Sequence, residues 1–291
     1  MRVLITGAHG QVGCELKRRA PAAFDVLALG STELDIRDAG RTSTVLADLQ
    51  PQLIINAAAY TAVDRAESEP EKAWAINCQG VENLAKSVEP LGIPVFHIST
   101  DYVFAGDSAR PYRETDPLNP LGVYGASKLG GEKVLQATCP RHLILRTSWV
   151  FGAHGNNFVK TMLRLGRERN EISVVADQRG GPTSAASIAD ALWSLALRYQ
   201  SDTELQWGVY HFSGAPTCSW HEFALEILRL GKKHGLIQNM PVLRAITSAE
   251  YPTPAARPTS SALDCTKLRQ TYNIGQPSWV DELGQVLLEL A

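Results

Sequence analysis

Short apolar runs alternate with stretches of helical periodicity through the first half of the chain. The runs fall at residues 3–5, 25–29, 53–56, 94–99 and 142–146. Between them, one helix is expected to begin near Asp38, a good N-cap. A second opens at Pro70 after Glu69 and runs to about residue 89, with Trp74, Leu84 and Val88 on its apolar face. A third covers 122–138. Strands that alternate with helices predict a parallel sheet clad on both faces. Past Arg146 the alternation loosens. Helices are expected at 157–169, 187–198, 219–233 and 281–290, and extended chain at 172–175 and 208–212, the latter returning to the first sheet. The proline-rich stretch 251–258 cannot be regular, because proline lacks the amide donor and fixes φ.

The first strand runs straight into Gly7-Ala8-His9-Gly10-Gln11-Val12-Gly13. A strand, a glycine-rich turn and a helix start form an arrangement that holds a diphosphate. Gly7 allows the tight turn, Gly10 lets backbone approach a phosphate, and Gly13 lets the helix press on the strand. The helix end adds free N–H groups and partial positive charge. The context, a strand before and a helix after, separates this triplet from an ordinary glycine turn. The expected fold class is therefore α/β: a Rossmann-type doubly wound parallel sheet with a smaller C-terminal substrate-binding lobe. Residues 1–147 form the dinucleotide-binding domain, rejoined by about 187–213, and residues 148–291 form the substrate-binding lobe.

Tyr124-Gly125-Ala126-Ser127-Lys128 places a phenol and an ammonium four apart, on one face of a helix. A nearby ammonium would lower the tyrosine pKa from about 10 and make it an efficient proton donor and acceptor. A surface Tyr–Lys pair at the same spacing is the alternative. Ser99-Thr100-Asp101 follows the fourth strand, at the carboxyl end where open α/β sheets bind ligands. Thr100 is placed to hydrogen-bond a reacting oxygen near Tyr124, or else to form a Thr-Asp turn.

Composition narrows the partners. The chain has 291 residues, 44% of them hydrophobic, enough for a sizeable core and against global disorder. A formal net charge of −2 leaves no basic field for nucleic acid. Neither a signal peptide nor a membrane span is expected. Cys14, Cys78, Cys139, Cys218 and Cys265 are scattered and form no CxxC pair, which argues against zinc or a disulfide framework and for a reducing cytoplasm.

Gly7-x-x-Gly10-x-x-Gly13, Ser99-Thr100-Asp101-Tyr102-Val103-Phe104 and Tyr124-x-x-x-Lys128 together resemble the extended short-chain dehydrogenase/reductase superfamily. Further segments match its dTDP-4-dehydrorhamnose reductase family, from residue 2 to about 280. They are Asn56-Ala57-Ala58-Ala59-Tyr60-Thr61-Ala62-Val63-Asp64, Glu67-Ser68-Glu69-Pro70, Arg146-Thr147-Ser148-Trp149-Val150, Gly155-Asn156-Asn157-Phe158, and Tyr251-Pro252-Thr253-Pro254-Ala255 with Arg257-Pro258. The glycine and YxxxK motifs mark only the superfamily; the others are more specific.

The resemblance implies reduction by a nicotinamide cofactor of the C4 keto group of dTDP-4-dehydro-L-rhamnose, the last step of dTDP-L-rhamnose synthesis. Tyr124 would donate the proton. Lys128 would hold the nicotinamide ribose and depress the tyrosine pKa, and Thr100 would align the keto oxygen. Gly7, Gly10, Gln11, Val12 and Gly13 would lie along the diphosphate, Asp35 and Ile36 beside the adenine, and Ala59, Tyr60 and Thr61 at the end of the third strand. Asp101, Trp149, Asn156, Asn157 and Arg257 would face the dTDP-sugar.

The second strand ends Leu29-Gly30-Ser31-Thr32 without an acid at its tip, which favours NADPH with NADH tolerated. Some family members use magnesium at a subunit contact. Glu15 matches one such position, but residues 182–186 carry no carboxylate, so a magnesium-bridged homodimer is disfavoured and no metal site is assigned. The sequence leaves oligomeric state open. Two rival readings stand beside reduction. One is an epimerase or dehydratase of the same superfamily, disfavoured because Tyr102 rather than a second acid follows Asp101. The other is a non-catalytic regulatory subunit with this fold, which intact Thr100, Tyr124 and Lys128 oppose.

Overall fold

The computed structural model describes residues 1–202 and 204–291. Its centre is a six-stranded sheet. β1 (Arg2–Thr6), β2 (Asp25–Leu29), β3 (Leu53–Asn56), β4 (Val95–Thr100) and β5 (His142–Thr147) are joined by the strand Gly208–His211, and every pair is parallel. The order across the sheet is β2, β1, β3, β4, β5, then Gly208–His211. After β2 the chain crosses back past β1 to lay down β3. The gap between β1 and β3 is thus the switch point where such sheets bind ligands.

Burial on both faces explains why these strands read as unbroken apolar runs. Val3, Ile5, Leu53 and Ile55 face one side, under α1 (Gln11–Arg18) and the helix Ala185–Asp202. Leu4, Ile54, Val95 and Ile144 face the other, under α2 (Ala39–Leu49) and the helix Gly80–Val88. Asp38 caps α2 by accepting the Arg41 amide. A separate apolar cluster lies in the second half. It joins Phe151, Met162 and Leu163 to Ile172, Phe223, Ile227, Trp279 and Leu283.

The stretch expected as one helix from Pro70 is segmented: Pro70–Trp74, a π-helical turn Ala75–Gln79, then Gly80–Val88 and a 3-10 turn Glu89–Leu91. Leu84 and Val88 are buried as expected, but Trp74 is 42% exposed. Its indole lies over Gly130 of the helix Val123–Thr138, where a Cβ would come within 2.6 Å of the ring. The strand Val242–Ile246, which pairs with Glu171–Val175, escaped the pattern because its apolar positions are largely solvent-facing. The helix Thr266–Tyr272, with only Leu268 buried, gave no periodicity to read either.

Candidate active site

The glycine turn is forced by contact. Gly7 has φ +71°, and a Cβ on it would lie 2.5 Å from the Ala58 nitrogen at the end of β3. A Cβ on Gly13 would lie 2.2 Å from the Gly7 carbonyl oxygen. Gly10, at the N-cap of α1, is less crowded, with its nearest contact at 3.3 Å. The first and third glycines therefore shape the turn, and the second keeps its outer side low. The amides opening α1 have no acceptor within the helix and suit an anion. Val12 is packed in the core beneath this turn. Gln11 instead reaches the second half of the chain, where its Oε1 accepts from Asn157 Nδ2 at 2.9 Å.

At the other anchor, Tyr124 and Lys128 stand one turn apart on the Val123–Thr138 helix, against the end of β4. Gly125 between them lets the helix touch β4's continuation, for a Cβ there would meet the Tyr102 carbonyl oxygen at 2.2 Å. Thr100 accepts the Tyr102 amide at 3.2 Å and donates to Asp101 Oδ1 at 2.9 Å. The Thr100 hydroxyl also stabilises the Tyr124 phenolate, but burial outweighs it and pushes the phenol upward. This corrects the expectation that Lys128 lowers the tyrosine pKa. Lys128 Nζ is turned the other way, onto the Ile98 carbonyl at 2.7 Å and His97 Nε2 at 3.3 Å. Burial brings Lys128 itself down to about 8. The same cause raises Asp101 to about 6, against the pull of the Ser261 and Thr100 hydroxyls.

Among the described residues, several buried polar atoms at the carboxyl ends of β4 and β5 make no hydrogen bond, namely Ser99 Oγ, Asp101 Oδ2 and Thr147 Oγ1, and Arg257 Nη1 on the proline-rich stretch makes none either. Arg257 Nη2 is held by Asp64 Oδ2 at 2.7 Å, and its guanidinium lies 5.9 Å from the Tyr102 ring centroid. Tyr102 in turn meets Tyr124 edge-on at 5.5 Å. The proline-rich stretch carrying Arg257 is seated on Gly106, where a Cβ would collide with Pro258 at 2.1 Å. Trp149 adopts φ +47°, uncommon for a side-chain-bearing residue, as the chain leaves β5. Its ring stacks on Trp220 at 3.5 Å.

Other expected contacts land differently. Ile36 is a core residue packed on Gly80, and its carbonyl accepts from Asn83 Nδ2 at 3.0 Å. Asp35 is taken up by a bidentate pair with Arg37, which lowers its pKa. Tyr60 is buried and its hydroxyl donates to Glu69 at 2.8 Å, while Thr61 is exposed and Ala59 half-buried. Asn157 caps the helix Phe158–Glu168 and spends both amide hydrogens on Gln11 and Gly152, so it has no donor left for a ligand. Asn156 is exposed.

The tip of β2 also needs correction. An acid does stand there, because the chain folds back so that Glu33 Oε2 accepts the Gly30 amide at 2.6 Å. Glu15 is not alone either. It lies with His154 and Glu289 within 4.8 Å. Arg18 already pairs with both carboxylates, at 2.8 and 3.1 Å, so the group does not fit a hard cation. Sequence reasoning missed Asn77. This residue lies in the π-helical turn, clasps the Tyr60 backbone at both ends and donates to Ser127 of the YxxxK helix. Its signal was a buried polar residue in an apolar stretch.

The whole chain, residues 1–291, matches the family described as RmlD substrate binding domain. It is 45% identical over 280 residues to a dTDP-4-dehydrorhamnose reductase of Aggregatibacter actinomycetemcomitans, covering 96% of this chain and 95% of the relative. The crystal structure of a dTDP-4-dehydrorhamnose reductase from Clostridium acetobutylicum superposes with a TM-score of 0.91 at 36% identity, covering 100% of this chain and 99% of that one. That of the Bacillus anthracis reductase, in complex with NADP, gives 0.90 at 38% identity, covering 99% of each chain. With a glycine turn, a Thr–Tyr–Lys face and full-length likeness of this degree, the chain belongs to the family of the dTDP-4-dehydrorhamnose reductases.

Proposed function

We propose that this protein reduces the C4 ketone of dTDP-4-dehydro-L-rhamnose to the alcohol of dTDP-L-rhamnose, consuming NADPH and one proton. The observation that carries this reading is the arrangement of Thr100, Tyr124 and Lys128 at the carboxyl end of β4, beside the switch point of the sheet. The glycine turn fits a dinucleotide, since its tight contacts all fall on the inner side and its helix amides are open. Gly7, Gly10, Gln11, Val12 and Gly13 would hold the diphosphate, with the Ala57–Ala59 backbone and Lys128 further along. The bound nicotinamide supplies the hydride. Tyr124 delivers its proton to the C4 oxygen. Its raised pKa keeps the phenol protonated at neutral pH, which suits an acid in a reduction. Thr100 orients that oxygen.

Asp101, Trp149 and Arg257 would contact the dTDP-sugar, Arg257 through the Nη1 group that has no partner. The preference for NADPH draws on the NADP-bound Bacillus anthracis relative. Glu33 does not oppose it strongly, since one carboxylate oxygen is committed to the Gly30 amide. We divide the chain at residue 147, with 187–213 returning to the dinucleotide-binding domain. No helix among the described residues is long and apolar enough to cross a membrane. The cysteines are free thiols, in keeping with a cytoplasmic site of action.

The test follows nicotinamide absorbance with the dTDP-4-keto-6-deoxy-L-sugar as substrate. Wild-type protein should oxidise NADPH, and a flat trace would remove the reductase reading. Parallel titrations with NADPH and NADH measure the cofactor preference.

A further inference from the structure

Thr6, Asn56, His97 and Lys128 come from β1, β3, β4 and the YxxxK helix, and all are buried at the heart of the sheet. Their contacts have a direction. The Ala58 amide at 3.1 Å and the Thr6 hydroxyl at 2.6 Å both reach Asn56 Oδ1. A backbone N–H can only donate, and 2.6 Å suits O–H···O better than N–H···O. Together they establish which end of the carboxamide is oxygen. Asn56 Nδ2 therefore donates to His97 Nδ1 at 2.9 Å. Burial keeps His97 neutral. A neutral imidazole carries one proton, so with Nδ1 accepting, that proton is on Nε2. Nε2 lies 3.3 Å from Lys128 Nζ. An ammonium at that place meets another donor, whereas a neutral amine offers its lone pair and still donates to the Ile98 carbonyl.

We propose that Asn56 and His97 are positioning residues for the reduction: their hydrogen-bond chain aims the His97 Nε2–H at Lys128 Nζ, which favours the amine over the ammonium at that place. The inference rests on the reductase reading and deepens it. The charges around Lys128 are consistent with it. Glu132, one turn along the helix, favours the cation, but its carboxylate is locked to Arg146 of β5 at 2.6 Å. His142, also of β5, opposes protonation of His97, as Lys128 does. Tyr124, one turn earlier, is an uncharged phenol, and Asn56 from β3 is neutral. The downward shift of Lys128 to about 8 agrees with this geometry.

The first measurement needs no variant. In the intact protein labelled with 15N-histidine, His97 should be protonated at Nε2 and bare at Nδ1 across about pH 6 to 9. A proton on Nδ1 overturns the proposal. The second follows the 13Cε resonance of Lys128, assigned with Lys128→Met, in wild type and in His97→Leu. The titration midpoint should rise by about one pH unit in His97→Leu, a tenfold gain in proton affinity. The step in kcat/KM against pH should move with it. A merely structural role would lower kcat/KM by one factor at every pH, and an unmoved midpoint in the folded variant overturns the proposal. If His97→Leu does not fold, the wild-type tautomer decides. An absence of NADPH oxidation by wild type would instead overturn the reductase reading, and the role in reduction with it.

Discussion

Tyr124 and Lys128 are one helical turn apart, yet their surroundings are opposite. Near Tyr124, hydrogen-bonding capacity is left open: Asp101 Oδ2 is buried with no partner, as are Ser99 Oγ and Thr147 Oγ1 at the carboxyl ends of β4 and β5. Around Lys128 the Thr6–Asn56–His97 chain is closed, each polar atom matched to the next. A buried unsatisfied polar group costs about 1–3 kcal/mol, so a cluster of them marks where stability has been given up for ligand contact. The closed side has no such deficit and serves to orient its neighbours.

That contrast can be broken most sharply at Tyr124. Tyr124→Phe should lower kcat/KM by roughly 10²–10⁴-fold, the usual loss of a general acid, with little change in thermal midpoint. Undiminished turnover would remove Tyr124 from its role. The next largest effect belongs to Asp101, whose folded pKa is about 6 against a reference of 3.8. The folded protein holds the extra proton between those values. Stability from this group is thus full below about pH 4 and is lost as pH rises through about 6. Asp101→Asn should flatten that slope by roughly 2–3 kcal/mol. Urea unfolding across the window measures it, and an unchanged slope would contradict the assignment.

On the closed side, Asn56→Leu should cost about 1–3 kcal/mol by orphaning the Thr6 hydroxyl, the Ala58 amide and His97 Nδ1. Chemical denaturation checks this, and a neutral result would mean the chain is not energetically closed. The smallest effect is expected at the seam between the glycine turn and the second half of the chain. Asn157→Ala removes a helix cap and the link to Gln11, for a loss of about 1 kcal/mol. A substrate-binding role would show instead as a raised KM at unchanged stability.

Much of this molecule is legible without coordinates. The β1–β5 runs declare themselves because parallel strands are buried on both faces and so are apolar throughout. Gly7, Gly10, Gly13, Tyr124 and Lys128 carry local spacing, which a turn or a helix converts directly into geometry. What was not legible depends on residues far apart in sequence. Glu33 reaches the β2 tip only because the following turn folds back to the Gly30 amide. Glu289 meets Glu15 only after the C-terminal helix docks on α1. Asn157 reads as an open donor until its amide is seen to be shared between Gln11 and Gly152.

The pair on the YxxxK helix draws the same line. The sequence by itself determined that a phenol and an amine share one helical face, because 3.6 residues per turn leave no other outcome. Only the tertiary structure decided what charge each carries. Desolvation acts through the packing of β4, β3 and the post-β4 loop around the helix, and it raises Tyr124 where local spacing predicted a lowering. The same burial lowers Lys128, whose Nζ lies against His97 and the Ile98 carbonyl. A pKa is a property of everything within a few ångströms, and those neighbours arrive from four separate elements of the chain.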